Sequence, residues 1–239
     1  MHSIIIIIYF SLQTLLKVKT VGYFMHKTNI NENIKKTLVA KFIGNCGFCF
    51  TDEVDCLYID FPYVSGAYGF MGFDARHLEA LSRHEKEVYF LFTHAHDDHF
   101  NRKEVRSQKL KTAGPFGIRC YANNYITIDQ LNKSGPWHIT AFKTTHALCI
   151  EHYSYVLEWH DTRIFISGDT KDISVLKKIN NIDILISNPL FLKEIVKAKR
   201  INDFKKIILC HFRTKSKIAH KTHKKLIVPK QGKTIILNA

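Results

Sequence analysis

Residues 91–101 read LFTHAHDDHFN, with His94, His96, Asp97, Asp98 and His99 crowded into six positions. The cluster follows an apolar run, VYFLFT at 88–93. Imidazoles and carboxylates this dense cost free energy to bury and repel when charged. A metal cation compensates both penalties. Residues two apart on a chain leaving a strand point the same way, so His94 and His96 can grip one ion. The chain then turns towards a helix, and the adjacent Asp98 and His99 can face a second ion.

One short motif does not close a two-ion site, so further ligands are expected downstream. They stand just beyond other β-type runs. His146 follows HITAFKTT (138–145), Asp169 follows RIFIS (163–167) within SGDT, and His211 follows KKIILC (205–210). Four separate strands would each deliver a ligand at the same end, as parallel-running strands do along one edge of a sheet. His152, six residues beyond His146, is a rival candidate ligand. His146 ends a strand whereas His152 begins one, which favours His146.

Working outward, the chain beyond residue 36 is a series of short β-branched and aromatic runs broken by Gly, Asn, Asp and Pro. Strands are expected at 37–43, 47–51, 56–60, 88–93, 117–122, 138–145, 154–159, 163–167, 183–187, 205–210 and 233–237. Helices are expected at 75–84, 100–110, 172–179, 190–200 and 216–225. Early strands followed by strands alternating with helices predict an α/β fold whose sheets carry helices on their outer faces. The loop FPYVSGAYGFMGF (61–73) reads either as a wall over the site or as a connection packed by its own aromatics.

A chain of 239 residues suffices for one good core. Residues 1–36 read as an N-terminal tail or apolar extension and 37–239 as the domain. IIIIIYFSLQTLL (4–16) falls short of the roughly 20 apolar residues of a spanning helix, so stable membrane insertion is not expected. It lacks a basic start and a small-residue cleavage site, and Met25 offers an alternative start. Six cysteines lie mostly in apolar runs and read as reduced core residues of a cytoplasmic protein, with Cys46-x-x-Cys49 as a weak redox alternative. The net charge is +14, of which +12 falls in residues 193–233. That block reads either as surface lysine of a compositionally biased chain or as an anion-binding surface.

THAHDDH, SGDT and LCHF, with FIGNCGFCF and LYIDFP before them and VPKQGKTIIL after, resemble the metallo-β-lactamase-fold hydrolase superfamily. Among its members the chain is most similar to the short, single-domain hydrolases related to ascorbate-6-phosphate lactonase. The resemblance implies an αββα sandwich of two mixed β-sheets and two divalent metal ions, Zn2+ foremost, with Mn2+ or Fe2+ as substitutes. His94, His96 and His146 would hold the first ion. Asp98, His99 and His211 would hold the second, and Asp169 would bridge them. A water or hydroxide between the ions would be the nucleophile, with Asp98 and Asp169 the carboxylates of the catalytic centre. Asp60 and Asp97 are candidates for orienting ligand histidines. The expected reaction is hydrolysis of an ester-type bond in an anionic or phosphorylated small molecule, with Arg213 and Lys215 close enough to His211 to meet the anion. A nucleic-acid phosphodiesterase served by the basic block is the second reading. A metal-binding or sensing domain without catalysis is the third.

Overall fold

The computed structural model describes residues 36–52, 54–63, 66–73, 88–107, 110–213, 215 and 223–238. The N-terminal extension up to residue 35, the helix expected at 75–84 and most of that at 216–225 lie outside them.

Thirteen described strands form two mixed sheets. In the first, β1 (Val39–Gly44), β2 (Gly47–Thr51) and β3 (Cys56–Ile59) run antiparallel, and β4 (Val88–Leu91), β5 (Lys111–Ala113) and β6 (Asn124–Tyr125) continue in parallel from β3. The second sheet joins β7 (His138–Thr144), β8 (His152–Trp159) and β9 (Thr162–Ile166) as an antiparallel meander to the parallel β10 (Ile184–Ser187), β11 (Lys206–Leu209) and β12 (Leu226–Ile227). β13 (Thr234–Ile236) returns to the first sheet beside β1.

The parallel strands β4, β10 and β11 are largely apolar runs because both of their faces are covered. Ile184 and Ile186 of β10 and Ile208 of β11 point inward with Leu157 and Ile164, meeting Phe48, Phe50, Leu57 and Leu91 of the facing sheet. Leu185 and Ile207 point outward, under Phe191 and Ile195 of a helix (Pro189–Lys197, here α4) and under Val175 and Leu176 of a 3-10 turn (Ile173–Lys178). On the other side, Tyr58, Phe90 and Phe92 lie under Val105 of α1 (Arg102–Ser107) and Ile118 of α2 (Phe116–Arg119). The core therefore comprises one inter-sheet layer and two sheet–helix layers. This is the expected αββα sandwich.

Two expectations fail. Residues 117–122 are not a strand. Pro115, with φ −67°, sets up the start of α2, and Glu151 Oε2 accepts the hydrogen bond of the Phe116 N–H that such a start leaves unpaired. Cys120 is consequently exposed rather than in the core. The pattern also misses β5, β6 and α3 (Ile128–Asn132), elements too short to show a period; α3 is held by a Thr127/Gln130 capping box. The expected helix at 172–179 is instead a 3-10 turn capped by Asp172.

Candidate metal centre

The ligand-type residues do not lie along the edge of one sheet. His94 to His99 leave β4 of the first sheet, whereas His146, Asp169 and His211 leave β7, β9 and β11 of the second. The site lies where the two sheets meet at their common end. Tyr153 N–H donates to Thr93 O (2.9 Å) and Tyr155 Oη to Phe92 O (2.7 Å), tying β8 to the chain that carries the cluster.

Two groups of side chains form there. The rings of His94, His96 and His146 make a near-equilateral triangle with centroids 4.6, 4.9 and 5.0 Å apart. Their nitrogens converge within 4.8 Å of one another. The second group comprises His99, Asp169, His211 and Cys46, converging within the same limit. Asp98 adjoins it, with Oδ2 3.1 Å from His211 Nε2 and 3.6 Å from His99 Nε2. The Asp169 carboxylate reaches both groups. Oδ2 is 3.9 Å from His94 Nε2, 3.7 Å from His146 Nε2 and 3.0 Å from His211 Nε2, and Oδ1 is 3.2 Å from His99 Nε2.

The far sides of the rings are fixed by a single network. Asp60 accepts from Thr93 N–H (2.8 Å) and, through Oδ2, from His99 Nδ1–H (2.8 Å) and Thr93 Oγ1–H (2.9 Å). With its proton committed to Asp60, Thr93 Oγ1 accepts from His94 Nδ1–H (3.0 Å). Each histidine therefore turns Nε2 rather than Nδ1 to the site, the usual arrangement behind metal-binding imidazoles. His96 donates from Nε2 to Leu148 O (3.1 Å) and presents Nδ1. Of the two candidate supporting carboxylates, Asp60 fills the role; Asp97 pairs at the surface with Arg102 (3.1 Å).

His152 belongs to the support as well. Its Nε2 accepts from Asp169 N–H (2.9 Å) and its Nδ1 donates to Thr144 Oγ1 (2.8 Å). Burial lowers its pKa to about 3, so it stays neutral with its lone pair occupied. Gly168, at φ +57°, makes this possible: a Cβ there would lie 2.5 Å from His152 Nε2.

Two residues that sequence reasoning missed complete the scaffold. Asn188 donates to Gly168 O (2.7 Å) and Thr170 O (2.8 Å) while its Oδ1 caps α4, so one buried amide pins the SGDT turn to a helix start. Asn-Pro at 188–189 is a legible cap signal. Asn45, at the tip of the β1–β2 hairpin, donates to Asp98 O (2.7 Å), and its own carbonyl accepts from His211 N–H (3.1 Å). Nothing in a lone Gly-Asn pair distinguishes that role from an ordinary turn.

The charges are unequal. Burial pushes the His94 and His146 imidazoles down, keeping them neutral. Burial acts the same way on His99 and His211, yet the carboxylates beside them together outweigh it: Asp169 with Asp60 raises His99 well above its ordinary value, and Asp169 with Asp98 raises His211 to about 9. Burial likewise opposes ionisation of Asp98 and Asp169, but their histidine neighbours hold both carboxyls low.

These residues fit a metal centre. His94 Nε2, His99 Nε2 and Asp169 Oδ1 are buried without a hydrogen-bond partner, the last two facing each other as an ion pair at 3.2 Å. Each such group costs about 1–3 kcal/mol. Cations at the two convergence points would remove these penalties, and an imidazole triad beside an imidazole–carboxylate set suits Zn2+ and its first-row neighbours.

Around this centre, the aromatic loop does both things expected of it. Phe61 and Phe73 pack on each other at 4.3 Å, while Phe70 lies on the His211 ring at 4.1 Å. Arg213 bridges to Phe70 and is exposed, as is Lys215. Three other lysines of the block point elsewhere: Lys205 pairs with Asp183, Lys206 with Ile236 O and Lys225 with Phe204 O, at the start of β11 and so at its far end from His211.

This architecture is the metallo-β-lactamase fold. Igni18, a metallo hydrolase from Ignicoccus hospitalis, superposes with a TM-score of 0.66 at 13% identity, covering 85% of this chain and 99% of its own. The metallo-β-lactamase fold protein YhfI from Bacillus subtilis gives 0.63 at 16% identity, covering 84% and 99%. The short form of human tRNase Z gives 0.56 at 13% identity, covering 84% and 100%. At these identities the likeness is one of fold. No protein-family model matches the chain, and no curated protein matches it in sequence.

Proposed function

We propose that residues 37–239 form a metal-dependent hydrolase that cleaves an ester-type bond in an anionic or phosphorylated small molecule. The observation carrying this reading is the Asp169 carboxylate, 3.0–3.9 Å from histidine nitrogens of both groups, with its own Oδ1 and the adjacent His94 and His99 Nε2 atoms buried without a hydrogen-bond partner. His94, His96 and His146 would hold one ion, Asp98, His99 and His211 the other, and Asp169 both. When bound, such ions lower the pKa of water to about 7 and neutralise charge developing on the ester oxygens.

The chain's own residues do the rest. Asp60, Thr93 and Leu148 O fix the ring tautomers, His152 holds Asp169, and Asn45 holds Asp98. Asp98 and Asp169 remain ionised, so both can accept hydrogen bonds from an attacking water and orient it. Phe70 covers one side of His211, and Arg213 presents its planar fork to a substrate anion beside it. The similarity of the sequence motifs to lactonase-related hydrolases supports a phosphorylated ester as substrate. Six free cysteines support a reducing, cytoplasmic setting. Among the described residues no helix is long and apolar enough to cross a membrane.

A nucleic-acid phosphodiesterase is the second reading, favoured by the net charge of +14. The division of the basic block weighs against it, because Lys205, Lys206 and Lys225 are spent on contacts at the far end of β11. Zinc-loaded full-length protein screened on phosphodiesters, phosphomonoesters, lactones and thioesters tests the proposal. Turnover of at least one small ester, abolished in Asp169→Ala, is expected. Inactivity on all four, or activity on RNA alone with steep salt dependence, contradicts it.

A further inference from the structure

The second group of donors contains a sulfur that the ligand set above does not use. Cys46 Sγ lies within 4.8 Å of the ligand atoms of His99, Asp169 and His211. In the same cluster, His99 Nε2 and Asp169 Oδ1 are buried and have no hydrogen-bond partner. We propose that Cys46 is a thiolate ligand of the second metal position, which makes that position a mixed N, O, S site beside an all-imidazole one. The proposal rests on the metal-dependent reading and adds a donor to it.

The hairpin tip that carries Cys46 is built into the centre. Asn45 O accepts the His211 N–H (3.1 Å), and the Asn45 side chain donates to Asp98 O (2.7 Å). The backbone on either side of the tip is tightly packed. A Cβ at Gly44 would lie 2.3 Å from Gly72 O, and one at Gly47 would lie 3.0 Å from Gly44 O and 3.1 Å from Asp60 O. Asn45 itself takes φ 41°, a backbone state that asparagine tolerates better than most residues. Cys46 is thus held at the second position by the same turn that holds Asp98 and His211.

The neighbouring cysteines do not share this placement. Cys210 Sγ is 3.6 Å from Cys46 Sγ, but it is also 3.6 Å from Ser187 O and lies outside the donor group. Cys49 pairs with Cys56 at 3.3 Å in a different core layer, beneath the helices of the first sheet. The Cys46-x-x-Cys49 spacing is therefore not a redox pair, since each sulfur faces a different partner.

Burial pushes the Cys46 thiol up, so without metal it keeps its proton. On coordination the S–H bond breaks, the proton leaves to solvent and the sulfur lone pair forms the S–metal bond, as for other coordinating thiols. A soft thiolate turns the second position towards Zn2+ and Co2+ and away from Mn2+ and Mg2+.

The test is optical spectroscopy of full-length protein reconstituted with Co2+, comparing wild type, Cys46→Ser and Cys210→Ser. Wild type is expected to show visible d–d bands together with a near-ultraviolet sulfur-to-cobalt charge-transfer band. Cys46→Ser should lose the charge-transfer band and keep the d–d bands, and Cys210→Ser should keep both. Wild-type d–d bands without charge transfer overturn the thiolate ligand while leaving the metal centre standing. Charge transfer lost in Cys210→Ser but kept in Cys46→Ser overturns it too. The absence of any d–d band overturns the metal-dependent reading itself. Should Cys46→Ser fail to fold, X-ray absorption of the wild-type zinc protein decides. A sulfur neighbour at about 2.3 Å is expected, and nitrogen and oxygen neighbours alone overturn the proposal.

Discussion

His152 Nε2 accepts a hydrogen bond from the backbone N–H of Asp169 at 2.9 Å. The lone pair that a ligand would offer to a metal is already used, and the other ring nitrogen donates to Thr144. His146 Nε2 instead meets His96 Nδ1 at 3.3 Å, inside the donor group it forms with His94 and His96. His146→Ala is therefore expected to lose close to one of two bound ions. His152→Ala should retain both and lose stability, at about 1–3 kcal/mol for the stranded donor. Elemental analysis and thermal denaturation of the two variants check this; equal loss of metal in both contradicts it.

Asp60 receives the proton of His99 Nδ1 at 2.8 Å while accepting two donors from Thr93. Asp60→Asn keeps the volume but weakens the grip on the His99 ring. A loss of about 10- to 100-fold in metal affinity is expected, the usual consequence of removing such a partner. Competition against a chelating dye measures it. An unchanged affinity shows that Asp60 serves only the backbone turn.

Protons occupy the metal-free second group at neutral pH. Burial lowers His211, but Asp169 with Asp98 raises it further, to about 9, and His99 is also raised. Metal must displace these protons, so apparent affinity should climb with pH up to about 9. Histidines of ordinary pKa, ~6.5, would let it level off near neutrality. The same shift gives the metal-free fold a His211 contribution that is fully present below ~6.5 and lost as pH rises through about 9. Zinc competition at three pH values spanning this window decides, and a plateau by pH 7.5 contradicts the shift.

The fold was legible where apolar runs were long. β7 to β11 were all anticipated: β9, β10 and β11 are apolar runs buried on both faces, while β7 and β8 stand out by their β-branched and aromatic residues. The histidines and Asp169 that converge in the two donor groups were legible as candidates because each follows a strand. Their distribution over two sheets was not, since spacing along the chain carries no record of which sheet a strand joins. Thr93 and Asn188 escaped notice because their importance lies in what they hydrogen-bond across the fold. Cys46, between Asn45 and Gly47, was read with the other cysteines as a reduced core residue or with Cys49 as a weak redox pair, and its sequence neighbours carry no record of the donors that face it.

Arg213 and Lys215 are the cations of the basic block that follow His211 most closely, and Arg213 bridges to Phe70 against that ring. Arg213→Ala is expected to weaken turnover of a phosphorylated ester about ten-fold or more relative to a matched uncharged ester, the worth of one charge-assisted hydrogen bond. Lys224→Ala, further along the chain, should change neither. Steady-state kinetics on the matched pair measures this. Equal losses on both substrates would remove Arg213 from substrate recognition.

The central claim is that Asp169 joins two metal positions. Full-length protein, stripped with chelator, reconstituted with zinc and freed of excess ion, should carry close to two zinc ions per chain by elemental analysis. Asp169→Ala should carry markedly fewer. A wild-type content below half an ion per chain contradicts the account, whatever activity the preparation shows.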